Sequence, residues 1–392
     1  MIRVILALML CVSLSVAAHA REPRIELAAD SAEQWVAFDL TPGNQIRFAM
    51  TLDDEPVTAI LDSGVSASVA SLALARRADL DIAAGTSADA IGGEITIGWT
   101  TAGRLRLGGL TRRDGRIAVA KLSGMATGSA RGVDLLIGSD ILSCCALDID
   151  YDRRRFRLLP SGHMPFAGTS VPLAVTRDTH LPVSELRIGT VRIRPVLVDT
   201  GDGASITVAR AMWDRTRPAP DARMTTTVAF GLGGAIETRL TVLPEIGLAG
   251  LSARDVEVRI EPERGFSDET GTAGRIGSAF LQRYRVLLDP RAGHMVLAPG
   301  SRADQPPVRS TSGLLVGLDR DRLRVLHVMR NSPAARAGWR DGDLICRVDG
   351  RPVALGADKG MDTSWSAGPP GDVVILGMCD GTRRTLTLAS FY

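Results

Sequence analysis

The sequence predicts a mainly β protein, and three observations carry that reading. Only 4% of its 392 residues are aromatic while 41 are Gly and 20 are Pro, a balance suited to short strands and tight turns rather than long helices. Its apolar runs are short and end in turn residues, as in Ile46 to Leu52 followed by Asp53-Asp54. A long stretch of such features then occurs twice in the same order, the mark of a duplicated unit.

Length and composition bound the rest. With 45% hydrophobic and 23% charged residues the chain is ordinary globular material with room for two to three domains, which excludes disordered, collagen-like and disulfide-scaffold classes. Lys+Arg at 46 against Asp+Glu at 44 leaves a net charge of +2 with no basic run, so nucleic acid is not an expected partner.

Arg3 opens a short positive region, residues 4–18 are nearly all apolar, and Ala18-His19-Ala20 has the small-x-small form of a signal-peptidase site. Residues 1–20 are therefore read as a removable signal peptide. The apolar stretch, about fifteen residues, falls short of the roughly twenty that span a bilayer, so no stable membrane span is expected. The mature chain then begins near Arg21, secreted or periplasmic, in an oxidising compartment.

Of the cysteines beyond Cys11, Cys144 and Cys145 are adjacent, with Cα atoms about 3.8 Å apart, and are expected as buried free thiols. Cys346 and Cys379 fall in two expected strands of one small unit, where a bridge is geometrically allowed. The His residues (19, 163, 180, 294, 327) are scattered singly, so neither a metal nor a cofactor is expected.

The first copy runs from a hairpin, Ile46 to Leu52 and Val57 to Leu61, into Asp62-Ser63-Gly64. The second runs from Leu181 to Ile188 and Val191 to Val198 into Asp199-Thr200-Gly201. Glycine-rich turns follow at Ile91-Gly92-Gly93 and Leu232-Gly233-Gly234. Then come Leu135-Leu-Ile-Gly138 and Arg275-Ile-Gly277, and each copy closes with a strand pair. From acid to later glycine the spacing is 76 residues in one copy and 78 in the other. An Asp-(Ser/Thr)-Gly alone is a common turn, but two at strand ends with matched punctuation are not.

These residues resemble an aspartic protease of the retropepsin type, with two lobes, residues 36–160 and 171–298, fused in one chain as in pepsin-like enzymes. The resemblance implies two β-barrel lobes about a pseudo-twofold axis, with Asp62 and Asp199 meeting as catalytic acids. It implies that Ser63, Gly64, Thr200 and Gly201 support the dyad, and that Ile91, Gly92, Gly93, Leu232, Gly233 and Gly234 form flaps over a peptide or protein substrate. Val65 and Asp202 follow the acids on the substrate-facing wall. Two nearby carboxyls cannot both ionise cheaply, so one activates water as base while the other holds a proton, with no covalent intermediate. Neither flap carries Tyr, which is closer to retropepsins than to pepsins. Both half-sites lie in one chain, so a monomer is expected.

Two residues depart from the pattern. Asp202 replaces a small apolar residue and is expected to favour a basic substrate side chain, to lift the dyad pKa, or to sit as a solvated turn residue. Arg275 stands where the first copy has an aliphatic residue, so its strand is expected to be more exposed or to carry a salt bridge.

Residues 299–312 read as a linker. Beyond it, Asn331 to Gly350 resembles the core of a bacterial PDZ domain spanning residues 312–392. The resemblance implies that Gly313, Leu314, Leu315 and Val316 present amides to a peptide C-terminus, with Leu323 to Val328 as the strand a peptide extends. Gly356, Gly360 and Pro369 break the helix that usually walls such a groove. No Gly-x-Ser-x-Gly element supports a serine protease. The sequence thus predicts an aspartic endopeptidase with a recruiting or regulating PDZ domain; the alternative is an inactive retropepsin-like and PDZ binding protein of the cell envelope.

Overall fold

The computed structural model describes residues 22–127, 132–217, 223–319, 321–353 and 363–392. The signal call on residues 1–20, and Gly356 and Gly360, lie outside the described residues.

The protein is mainly β, as predicted. Its strands form sheets of sixteen, eight and six strands. In the first half, Ile46–Leu52 alternates buried and open positions and pairs with Glu55–Leu61, Phe48 opposite Ala59. That second strand starts at Glu55, two residues before the sequence reading. Asp53 and Asp54 both adopt positive φ (50° and 69°), which makes a two-residue turn matched to strand twist. In the second half, Pro182–Ile188 pairs with Val191–Asp199.

One strand arrangement recurs and positions the acids. Leu135–Ile137 inserts between Glu55–Leu61, to which it is parallel, and Val69–Ser71, to which it is antiparallel. Gly274–Gly277 inserts in the same way between Val191–Asp199 and Ile206–Val208. Each insertion pins the loop that follows the hairpin. The halves are then joined edge to edge, Ala146–Asp150 pairing antiparallel with Tyr284–Asp289.

The sequence alone leaves open whether residues 21–34 cover the cleft or form a loose tail; where described, they are paired onto the first half. Arg24–Leu27 pairs with Leu110–Arg113, and Trp35 lies beneath the guanidinium groups of Arg155 and Arg157. Cys144 and Cys145 are also corrected: they form a disulfide. They sit in the turn after the Ser139–Leu142 helix, where successive side chains need not point to opposite faces as on a strand.

The six-stranded sheet lies at residues 314–387, with a short α-helix, Pro333–Arg336, capped by Ser332. Cys346 and Cys379 are bridged. Arg322–Val328, expected to be open to a peptide, is paired to Leu314–Asp319 on one side and at Leu323 and Arg324 to Leu344–Val348 on the other. Leu314–Asp319 forms one edge of this sheet and Arg383–Thr387 the other. Residues 299–312 carry no strand beyond Pro299, but Arg283 holds the Ala303 carbonyl and Ser301 donates to Asp152.

Candidate active site

Each acid ends a strand whose last residues are completely buried, so the carboxyl emerges where the two halves meet. The Asp62 N–H donates to the Ile137 carbonyl (3.0 Å), and Asp199 stands opposite Gly277 in the parallel ladder. A Cβ on Gly64 would lie 2.3 Å from the Asp199 carboxyl carbon, and one on Gly201 would lie 2.2 Å from that of Asp62. Each glycine therefore leaves the space that the other half's carboxyl fills, and no larger residue fits. The two carboxyls therefore face each other across the junction of the halves.

Ser63 and Thr200 lock the loops reciprocally. Ser63 Oγ donates to the Val198 carbonyl (2.7 Å) and accepts from Thr200 N–H (3.0 Å). Thr200 Oγ1 donates to the Leu61 carbonyl (2.9 Å) and accepts from Ser63 N–H (3.0 Å). Both residues are buried, so every one of these groups depends on its partner across the interface.

The two acids differ in surroundings. Asp62 accepts one amide, Gly64 N–H (3.0 Å), whereas Asp199 accepts two through one oxygen, Gly201 N–H (2.9 Å) and Asp202 N–H (3.0 Å). Burial, and then the charge of Asp199, hold the Asp62 carboxyl well above the usual range. Burial also raises Asp199, to about 6, with Asp202 adding to the rise while Arg275 and the two amides oppose it.

Asp202 and Arg275, the two departures, pair with each other. Arg275 is 2% exposed; its Nε meets Asp202 Oδ2 at 2.9 Å and its Nη1 meets Glu261 Oε1 at 2.7 Å. Burial pushes the Asp202 carboxyl up, but Arg275 and the Ala204 amide outweigh it and hold it below its usual value. Of the expectations for Arg275, the salt bridge holds and the exposed strand does not. Asp202 is not a solvated turn residue, and its charge does bear on Asp199.

The glycine-rich turns of the two halves meet each other. Gly233 N–H donates to the Ile91 carbonyl (3.1 Å), and a Cβ on Gly92 would lie 2.5 Å from the Gly234 carbonyl oxygen, so the two tips lie against each other. Leu232 packs on the first half's apolar group of Ile60, Val69 and Leu136. The Val65 carbonyl accepts from Ser139 N–H (2.9 Å). In the C-terminal sheet, Gly313 N–H donates to Ser310 Oγ (2.9 Å) and Leu314 N–H to Ser312 Oγ (3.0 Å), so two amides of the expected carboxylate loop are already engaged. Leu315 and Val316 run on as the strand edge.

Sequence reasoning missed several supports. Gln45 Nε2 donates to the Gly201 carbonyl (2.8 Å) and Asn44 Nδ2 to the Gly203 carbonyl (3.1 Å), so a turn of the first half braces the second acid's loop. No pattern signals these. Ser139 Oγ donates to the Ser63 carbonyl (3.0 Å), and here the Gly-Ser following both inserted strands was an available sign.

Comparison with known families adds one match. Residues 48–141 match a family model described as Aspartyl protease. That segment is an aspartyl protease-like domain, and it holds Asp62, the first flap and the strand that pins Asp62. No curated protein matches the chain. Among the described residues no helix is long and apolar enough to cross a membrane.

Proposed function

We propose that the protein is an aspartic endopeptidase in which Asp62 and Asp199 activate water between them, acting on peptides or proteins outside the cytoplasm. The observation that carries this reading is the reciprocal fit of each carboxyl beneath the other half's glycine, locked by Ser63 and Thr200. The match of residues 48–141 supports it from the first half.

The surroundings assign roles. Asp199, with two amides on one oxygen and Arg275 nearby, is the ionised base that takes a proton from water. Asp62, whose proton is held by burial and by the Asp199 charge, hydrogen-bonds the scissile carbonyl and gives its proton to the carbonyl oxygen as water adds; Asp199 then passes the proton it took from water to the amide nitrogen, and the C–N bond breaks as Asp62 takes a proton back from the gem-diol, leaving the acid and the free amine. The flaps exclude bulk water once substrate is in place. Asp202 and Arg275, the two departures from the family pattern, pair with each other, so neither removes a group that the dyad needs.

On this reading residues 36–160 and 171–298 are two lobes of one protease, complete in a monomer. Residues 312–392 are a PDZ-like regulatory domain, and residues 1–20 a cleaved signal. The domain meets the second flap directly: Thr226 Oγ1 accepts from Arg330 N–H (3.2 Å) and shares a hydrogen bond with His327 Nε2 (2.7 Å), and Arg330 pairs with Glu237 at 2.8 Å. Regulation through that contact fits better than capture at residues 313–316.

The test is cleavage of a complex peptide mixture, with new ends identified by mass spectrometry and hydroxylamine added as a trap. New ends without hydroxamates support water attack. Hydroxamates would indicate an acyl-enzyme and sink the mechanism, and a folded protein that generates no ends would sink the activity.

A further inference from the structure

The two sides of the cleft are built from equivalent positions but opposite chemistry. The registers fix the equivalence. Leu136 stands opposite Ile60 and Val69, and Val69 opposite Ala118. Arg275 stands opposite Leu197 and Thr207, and Thr207 opposite Arg259. The flap turns are closed by Ala90 with Gly93 and by Gly231 with Gly234, which aligns Ile97 with Thr238. In the first half this face is apolar, and the opposite flap's Leu232 packs on it. In the second half the same face carries Thr207, Thr238, Arg259 and Arg275. Phe266, stacked on Arg275, belongs to the short helix approached by the first flap's strand.

The second-half face has unmet hydrogen-bonding capacity. Thr207 and Thr238 are 2% and 3% exposed, and among the described residues neither hydroxyl, nor Arg259 Nε, has a hydrogen-bond partner. Such orphans are costly, and a guest atom that pairs with them recovers that cost. Two guanidiniums face three carboxyls nearby: Arg275 is taken by Asp202 and Glu261, and Arg259 lies 3.9 Å from Glu257. Burial pushes the Glu257 carboxyl up despite Arg259 and Arg309. An ionised guest would bring charge with no partner, and an apolar guest would leave the orphans unmet.

We propose that, in the protease reading on which this rests, the cleft selects a substrate with an apolar side chain against the first half and an uncharged hydrogen-bonding one, Asn, Gln, Ser or Thr, against the second. Thr207, Thr238 and Arg259 are the specificity-determining residues.

The test profiles the residues flanking each bond cut by the full chain in a peptide library. Wild type is expected to show an apolar preference on one side and an uncharged polar preference on the other. A Thr207→Val/Thr238→Ile variant, which installs aliphatic residues, is expected to lose about tenfold or more in the polar-to-apolar ratio at the second position alone. Thr238→Ser, which keeps the hydroxyl, retains the polar preference and controls for misfolding. Apolar or charged preference at both positions in wild type, or an unchanged profile in the double variant, overturns the proposal. Capture of library peptides by the Asp62→Asn protein separates it from the protease reading. Polar enrichment among captured peptides supports the pocket even where wild type cuts nothing, an outcome that sinks only the protease reading. Cleavage and capture that both lack a polar preference overturn the pocket.

Discussion

Arg275 and Asp202, 73 residues apart, form a buried ion pair at 2.9 Å that also reaches Glu261, directly behind one of the two central acids. The second half thus carries charge where the first carries Leu136 and Val65, and the dyad is unequal for that reason.

Breaking that network from one side is expected to be severe. Arg275→Leu leaves two buried carboxylates unpaired and should cost about 3–5 kcal/mol in urea unfolding. Restoring the first half's chemistry with Arg275→Leu, Asp202→Val and Glu261→Ala together should recover most of that loss. An Arg275→Leu protein as stable as wild type would show that the pair has no structural role.

The pH dependence follows from the raised carboxyls. The active form holds one proton between the two acids, so kcat/KM should rise as Asp199 ionises near pH 6 and fall at higher pH as Asp62 loses its proton. A profile already at its maximum near pH 3 would contradict this assignment.

Stability responds with a defined sign. Asp199 has a folded pKa of about 6, above its unfolded value of 3.8, so its contribution is fully present below pH 3.8 and lost as pH rises through 6. Asp199→Asn removes that loss, so the variant should be more stable than wild type by on the order of 2 kcal/mol at pH 7.5, with no difference at pH 3.5. Thermal unfolding at both pH values checks it, and a gain at pH 3.5 alone would reverse the sign.

The reciprocal lock predicts a split between variants. Ser63→Ala strands the Val198 carbonyl and the Thr200 amide and should cost about 1–3 kcal/mol with a large fall in kcat. Ser63→Thr, which keeps the hydroxyl, should restore much of both. Equal kcat losses in the two variants would remove the lock from the account.

How much of this was legible in the sequence depended on distance along the chain. Asp62 and Asp199, their hairpins, the flaps and the inserted glycine strands could all be read, because each signal is local and occurs twice. The Arg275 to Asp202 pair could not, since it depends on strand register: eight residues carry the second copy from Asp199 to Thr207, where seven carry the first from Asp62 to Val69. Asn44 and Gln45 reach the second acid only through a turn of the other half. Cys144 and Cys145 misled because the spacing of adjacent Cα atoms was judged without the turn that orients their side chains. In the C-terminal unit the PDZ-like stretch from Asn331 to Gly350 was local and readable, while the choice of edge strand was not.

The most direct measurement is cleavage of the peptide mixture by wild type, Asp62→Asn and Asp199→Asn proteins, each confirmed folded. A shared dyad predicts that wild type cuts and that both variants lose activity entirely. Retained cleavage in either variant, or a folded wild type that cuts nothing between pH 3.5 and 7.5, would contradict it.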